Sequence, residues 1–107
     1  DDLCKVAGQW VKPADVEEAV LGDPAIRDAA CVVVGDRDGF ERLALYVVPA
    51  GAGAGDDAAA VAAAQARCDA RLAHHARPRW IRCIGELPRT ATGKVQRFRL
   101  REQFTPP

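Results

Sequence analysis

The stretch "DAACVVVGDRDGFERLALYVVPA", residues 28–50, decides the fold of this chain. Residues 30–34 form a short apolar run rich in β-branched side chains, and residues 43–48 form a second one. Between them, "DRDG" at 36–39 is a turn signal. Two apolar runs separated by one turn signal predict an antiparallel pair of strands.

The segment before this pair predicts a hairpin and a helix. Residues 3–12 read as two short extended runs around Ala7-Gly8, which indicates a tight turn. Pro13 suits the first turn of a helix, where its missing N–H costs nothing. The predicted helix ends at Gly22 and turns one apolar face inward, made of Val16, Val20 and Leu21. Its acidic residues Asp15, Glu17 and Glu18 are expected in the first turn, with no part in chemistry.

The segment after the pair predicts a long helix. "GAGAGDD" at 51–57 is a flexible linker by composition, and Asp56 or Asp57 is expected to cap the alanine-rich helix over 58–75. The expected inward stripe of this helix is Val61, Gln65, Cys68 and Leu72.

The last third of the chain predicts a strand, a loop and a helix. A third strand is expected at 80–84, followed by the loop "PRTATGK" and a short basic helix over 95–104. The inward residues of that helix are expected to be Val95, Phe98 and Leu100. Together these elements predict an α+β fold: one small domain over residues 1–107, with an N-terminal β-hairpin and a central sheet of about three strands flanked by helices.

Charge and composition exclude several classes of function. The 15 basic and 15 acidic residues cancel, which argues against nucleic acid as a partner. The sequence contains no apolar run of the roughly 20 residues that span a bilayer, so no membrane partner is expected. The four cysteines are widely spaced without a C-x-x-C pair, which favours reduced thiols in a cytoplasmic protein and no metal site.

Lys94 follows a glycine in the loop "LPRTATGKVQR", residues 87–97. The loop is not a P-loop, because Pro88 and Val95 stand where that motif needs glycine and a hydroxyl residue. A lysine ammonium suits a phosphate or a developing anion, and Thr90 and Thr92 offer hydroxyls beside it. Taken alone, the loop favours an ordinary solvated lysine.

The two ends of the chain resemble the adenylate-forming enzymes, a superfamily of acyl- and aryl-CoA synthetases, peptide-synthetase adenylation domains and luciferases. "DDLCKVAGQWVKPADVEE" is similar to their motif D-D-x-x-K-x-x-G-x-x-V-x-P-x-[ED]-[IV]-E, and "LPRTATGKVQR" to their last motif L-P-[RK]-T-x-T-G-K-[IV]-x-R. The resemblance covers essentially the whole chain and is limited to the small C-terminal domain of those enzymes. "KVAGQWVKPADVEE", "PRW" and "LPRTATGKVQRFRLRE" look most like benzoate-CoA and related aryl-CoA ligases.

The resemblance implies two half-reactions. A carboxylate, here a small aromatic or other acid, attacks the α-phosphate of MgATP to give an acyl-adenylate, and the thiol of CoA then displaces AMP. In the superfamily the C-terminal domain rotates on a large N-terminal AMP-binding domain, its partner, and presents opposite faces to one active site. The resemblance therefore implies that ATP and CoA are substrates of the full-length enzyme. It also implies that the isolated domain holds neither stably and catalyses no ligation.

By motif position, the resemblance assigns roles to individual residues. Lys94 is the adenylation lysine, supported by Gly93 and Thr92, and Asp1 is the hinge. The residues it implies on the side of CoA and its pantetheine arm are Lys5, Gly8, His75, Arg77 and Arg79. In "HHARPRW", His75 replaces a usual aromatic residue and Ala76 a common lysine, which is where this chain departs from the pattern. For Trp10 two readings stay open: a residue that lines the pantetheine tunnel and, favoured of the two, a half-buried core residue.

Two alternatives to an aryl-CoA ligase stay open at the level of sequence. A peptide-synthetase adenylation subdomain would share Lys94 but hand its acyl group to a carrier protein. A non-catalytic interaction module would keep the fold, and replacing Lys94 would then leave activity untouched.

Overall fold

The computed structural model describes residues 3–107, and the predicted hinge at Asp1 lies outside them. The elements, in chain order, are β1 (Cys4–Val6), β2 (Gln9–Val11), α1 (Pro13–Leu21), β3 (Ile26–Gly35), β4 (Glu41–Pro49), α2 (Asp56–Arg71), a 3₁₀ turn (His74–Ala76), β5 (Trp80–Cys83) and α3 (Arg97–Gln103). This order confirms the predicted α+β fold with an N-terminal hairpin. No helix in this part of the chain is both long and apolar enough to cross a bilayer.

The central sheet has the strand order β3-β4-β5. β3 and β4 are antiparallel, with Cys31 opposite Leu45, and β5 runs parallel to β4. Alternate residues of β3 and β4 enter two separate hydrophobic clusters, one on each face of the sheet. Because both faces are covered, the strands are continuous apolar runs instead of alternating ones.

Helices α1 and α2 cover one face of the sheet, and two details of their packing differ from expectation. Leu21 is 43% exposed, because Val16 and Val20 already form the buried face of α1. In α2 the buried residues are Ala60, Ala64 and Cys68, so Cys68 of the predicted stripe is confirmed, whereas Gln65 is exposed. Small alanines face the sheet because they let the helix backbone approach it closely.

The ends of α2 also differ from the predicted ones. Its N-cap is Gly55, which has a φ of +93°, and no side chain caps it. The predicted cap Asp56 instead accepts a hydrogen bond from the amide of Gly53 at 2.7 Å, which closes the turn before the helix. The helix ends at Arg71, so His74 and His75 lie in the separate 3₁₀ turn.

Helix α3 covers the other face of the sheet. It begins at Arg97, two residues later than predicted, and turns Leu100 inward, with Phe104 buried directly after it. Phe98 is 47% exposed, because it is two residues from Leu100 and so falls on the opposite side of the helix. The ring of Phe104 packs on Trp80 with centroids 5.0 Å apart, which joins the end of the chain to β5.

Candidate functional site

The Lys94 turn, defined as residues 89–95, is a closed and internally bonded structure. Arg89 and Val95 pair across its base as an isolated antiparallel bridge. The amide of Thr90 donates to the carbonyl of Lys94 at 2.8 Å, and the amide of Gly93 donates to the carbonyl of Thr90 at 2.9 Å. Gly93 has a φ of +92°, a conformation that favours glycine. The segment that the sequence predicted as a loop is therefore a turn with a fixed, hydrogen-bonded backbone.

Two threonine hydroxyls fix the inside of this turn. The amide of Lys94 donates to Oγ1 of Thr90 at 3.1 Å, and that oxygen lies 3.0 Å from Oγ1 of Thr92. The lysine side chain is exposed. Lys94 lies on the wall of a cleft of about 520 Å³ that also takes in Cys4, Pro13, Arg97 and Arg101. The turn thus fixes the backbone of Lys94 and leaves its ammonium open to a ligand.

Two arginines tie the flanks of the Lys94 turn to the outer edge of the sheet. Arg89 donates to Asp28 on β3 at 2.5 Å and, through its other terminal nitrogen, to the carbonyl of Gly93 at 2.7 Å. Arg97 donates to Glu17 of α1 at 2.6 Å. The two arginines therefore link the turn to β3 and to α1.

The same two carboxylates also bind backbone amides of the edge strand β3. Oε2 of Glu17 accepts the amide of Cys31 at 2.7 Å, and Oδ1 of Asp28 accepts the amide of Ala29 at 3.0 Å. Glu17 was expected in the first turn of α1, but it is the fifth residue of that helix and its side chain is only 13% exposed. Sequence reasoning missed these anchors, although both arginines lie within the quoted motif.

Cys31 lies beneath the cleft of Lys94 without being a candidate nucleophile. Burial raises the pKa of its thiol far above the usual range, and the nearby Glu17 carboxylate raises it further. Only a thiolate attacks efficiently, so this thiol is inert at neutral pH.

The hairpin turn between β1 and β2 is built differently. Ala7 and Gly8 both have positive φ, 51° and 82°, which is the pattern of a type I′ turn. A Cβ added to Gly8 would meet nothing within 4 Å. Nζ of Lys5 lies 5.6 Å from the ring centroid of Trp10 across the hairpin. Trp10 is 61% exposed, so the expectation that it is a half-buried core residue is wrong.

The structure brings part of the predicted CoA-side set together. His75, Arg77 and Arg79 line a cleft of about 460 Å³ together with Ala7 of the hairpin turn. The other two residues of the set, Lys5 and Gly8 of the hairpin, are not among the residues that line this cleft.

Arg77 and Arg79 differ in what occupies their guanidinium groups. Arg77 donates to the carbonyls of Leu72 and Asp69 at 3.1 and 3.0 Å. It therefore provides hydrogen bonds to backbone carbonyls at the C-terminal end of α2. Arg79 is exposed and lies 5.5 Å from the ring centroid of Trp80, and within residues 3–107 its side chain makes no hydrogen bond. Arg79 is therefore more available to an anion than Arg77.

The fold is a small α+β domain with both faces of its sheet covered, and it presents an exposed lysine on a turn with a fixed backbone. The chain belongs to the family of the AMP-binding enzyme C-terminal domain, whose sequence model matches residues 15–94. It is 42% identical over 102 residues to a 3-hydroxybenzoate–CoA ligase of Aromatoleum sp. (strain CIB). The aligned residues make up 95% of this chain and 19% of that ligase. It is 41% identical over 102 residues to a benzoate–CoA ligase of Thauera aromatica, with 94% and 19% covered.

A solved structure gives the same result for the fold. The crystal structure of an anthranilate CoA ligase in complex with anthranoyl-AMP matches with a TM-score of 0.83 and 34% identity, over 95% of this chain and 20% of the ligase. This chain thus spans about a fifth of the length of the relatives that it matches.

Proposed function

We propose that this chain is the C-terminal domain of an ATP-dependent ligase that joins benzoate or a related aryl acid to CoA. The identities of 42% and 41% to ligases of hydroxybenzoate and benzoate support this substrate class. In this proposal a large N-terminal AMP-binding domain is the partner of the chain, and it builds most of the acid and nucleotide pockets.

Lys94 serves the first half-reaction. The carboxylate and the triphosphate of MgATP are both anionic, and they must approach each other for the acyl-adenylate to form. A desolvated cation between them stabilises the transition state, in which negative charge builds up on the α-phosphate and the pyrophosphate leaves. The observation that carries this proposal is the exposed Lys94 ammonium on a turn whose backbone is fixed by Thr90, with Thr92 beside it.

The hairpin and the 3₁₀ turn serve the second half-reaction. The CoA thiol attacks the acyl carbonyl and AMP leaves, so the pantetheine arm must reach the adenylate past the hairpin. Gly8 leaves open space for that arm at the tip of the hairpin, and Lys5 lies on the strand before it. Arg79, with His75 in the same cleft, is the better placed partner for the CoA phosphates, and Arg77 orders the end of α2 beneath them.

The test uses the full-length enzyme with Lys94→Ala, and Lys12→Ala as the control for loss of an exposed lysine. ATP- and acid-dependent adenylation is measured with benzoate, hydroxybenzoates and short fatty acids. Thioester formation is then measured from pre-made acyl-adenylate and CoA. We expect adenylation to fall by about a hundredfold or more with Lys94→Ala, the size of losing one preorganised electrostatic contact.

Three results decide the proposal. Thioester formation that survives Lys94→Ala places the lysine in the first half-reaction alone, while Lys12→Ala leaves both steps intact. Adenylation that persists without Lys94 would mean that the domain is not catalytic. Preference for fatty acids over benzoates would overturn the substrate class only.

A further inference from the structure

Arg89 connects the Lys94 turn to the sheet through both ends of its guanidinium. One terminal nitrogen donates to the carbonyl of Gly93, the residue directly before Lys94, at 2.7 Å. The other donates to Asp28 on β3. A planar fork of this kind fixes direction as well as distance, because both bonds must lie in one plane.

Arg97 holds the other side of the same turn. Its bond to Glu17 fixes the start of α3, three residues after Lys94, while the amide of Gln96 donates to the carbonyl of Pro88 at 2.8 Å. Glu17 and Asp28 are in turn held by the amides of Cys31 and Ala29. The position of Lys94 is thus fixed relative to β3, the edge strand of the central sheet, at and beyond the bulge between Ile26 and Asp28.

The Arg89 half of this arrangement contributes little to folding stability, unlike the half that contains the more buried Glu17. The Arg89–Asp28 pair is 41% and 31% exposed, and exposed ion pairs contribute little to folding. Arg89 adds little stability, yet it binds the carbonyl next to the proposed adenylation lysine. Its effect is therefore on the position of Lys94.

We propose that Arg89 is a positioning residue for Lys94, with Asp28 as its anchor and the Arg97–Glu17 pair as a second support. Arg89 acts through the turn and contacts no reacting atom. The proposal rests on the function proposed above for Lys94.

The chain contains a matched control for this arrangement. Arg67 of α2 also pairs with an aspartate, Asp23, at 3.4 Å, and also donates to a backbone carbonyl, that of Gly22, at 3.2 Å. Its pair is 25% and 23% exposed, and it joins α2 to the end of α1 instead of to the Lys94 turn. Arg67→Lys therefore removes a similar fork without touching the turn.

The experiment compares Arg89→Lys, Asp28→Asn, Arg67→Lys and Lys94→Ala in the full-length enzyme. Both half-reactions and the thermal unfolding midpoint are measured for each variant. We expect Arg89→Lys to lower kcat for adenylation by about tenfold to a hundredfold, since small misplacements of a reacting group have effects of this order. Thioester formation from pre-made adenylate should stay within twofold, and the midpoint should shift no more than in Arg67→Lys. Asp28→Asn should also lower kcat for adenylation, by a smaller factor than Arg89→Lys.

The outcomes separate this proposal from the one it rests on. If Lys94→Ala abolishes adenylation while Arg89→Lys behaves like Arg67→Lys, the positioning role is wrong and the role of Lys94 stands. Equal losses in both half-reactions with Arg89→Lys would make it a general structural residue and would also overturn the proposal. If Lys94→Ala leaves adenylation intact, both proposals fail.

Discussion

The Lys94 turn and the hairpin turn both contain a glycine with positive φ, but they differ in how the rest of the molecule supports them. Each reverses the chain through a glycine with positive φ, Gly93 in one and Gly8 in the other. The Lys94 turn is bound by side chains from β3 and α1, more than 60 residues away along the chain. The hairpin turn is supported by its own strand pairing and by Lys5 over Trp10.

This difference separates two ways of placing a functional loop. A turn that carries a charged group benefits from distant anchors, because a cation acts only at a defined distance from its ligand. A turn that leaves a passage for a substrate arm needs only the right backbone and an empty side-chain position. We therefore expect substitutions around Lys94 to have larger and more distant effects than those around Gly8.

Glu17→Ala should have the largest effect on stability. It removes the acceptor of the Cys31 amide and leaves Arg97 without its partner, both in a partly buried place. We expect a loss of about 2–3 kcal/mol in the free energy of unfolding, in the range for hydrogen bonds to charged groups. Urea unfolding of this chain measures it, with Glu18→Ala on the exposed side of the same helix as the control. A loss no greater than that of the control would show that the anchor contributes nothing to folding.

Gly8→Ala and Gly93→Ala form a reciprocal pair. Neither added Cβ meets an atom within 4 Å. Each substitution should therefore lower the free energy of unfolding only by the cost of holding an alanine at positive φ, roughly 1–2 kcal/mol. In the full-length enzyme, Gly93→Ala should slow adenylation and Gly8→Ala should slow thioester formation. Assays of the two half-reactions check this, and identical profiles for both variants would remove the functional contrast between the turns.

Ala7→Gly should stabilise the chain. Ala7 has a φ of +51°, and relief of that strain should exceed the entropic cost of glycine by about 0.5–1 kcal/mol. Ala66→Gly, on the exposed side of α2, is the control and should destabilise by about 1 kcal/mol. Changes of the same sign in the two variants would mean that the hairpin turn is not strained at Ala7.

Lys5→Ala should have the smallest effect. The Lys5–Trp10 contact is exposed, so we expect a loss of about 0.5 kcal/mol, the lower end for cation–π pairs. Lys5→Arg should retain most of it. Thermal unfolding of both variants at one salt concentration gives the comparison, and a loss above 1 kcal/mol would show that the hairpin is anchored as strongly as the Lys94 turn.

Local patterns were sufficient to predict the elements but not all of their faces. The apolar runs around the turn at 36–39 gave the β3–β4 pair, and Pro13 and Gly22 marked both ends of α1. The predicted inward face of α2 was correct at Cys68 but not at Gln65, because many alanines leave little contrast between the sides of the helix. The burial of Ala60 and Ala64 depends on the sheet beneath them.

The site was predictable where the chemistry is local to a motif. Lys94 and Gly93 were found from one short segment, and their roles stay predictions. The anchors Asp28 and Glu17 were not, because each lies at least 60 residues from its arginine and only the folded sheet brings them together. The exposure of Trp10 was missed because tryptophans usually lie at least half buried, and the contact between its ring and Lys5 exists only in the folded hairpin.

The carboxylates at the outer edge of β3 have a consequence for association between chains. Within residues 3–107, β3 has no strand on its outer side, and such an edge is a template on which another polypeptide can add a strand. Glu17 and Asp28 occupy the amides of Cys31 and Ala29 there, so an added strand cannot bond to these two amides. Loss of either carboxylate is therefore expected to free an edge amide and to increase aggregation, as well as to loosen the Lys94 turn.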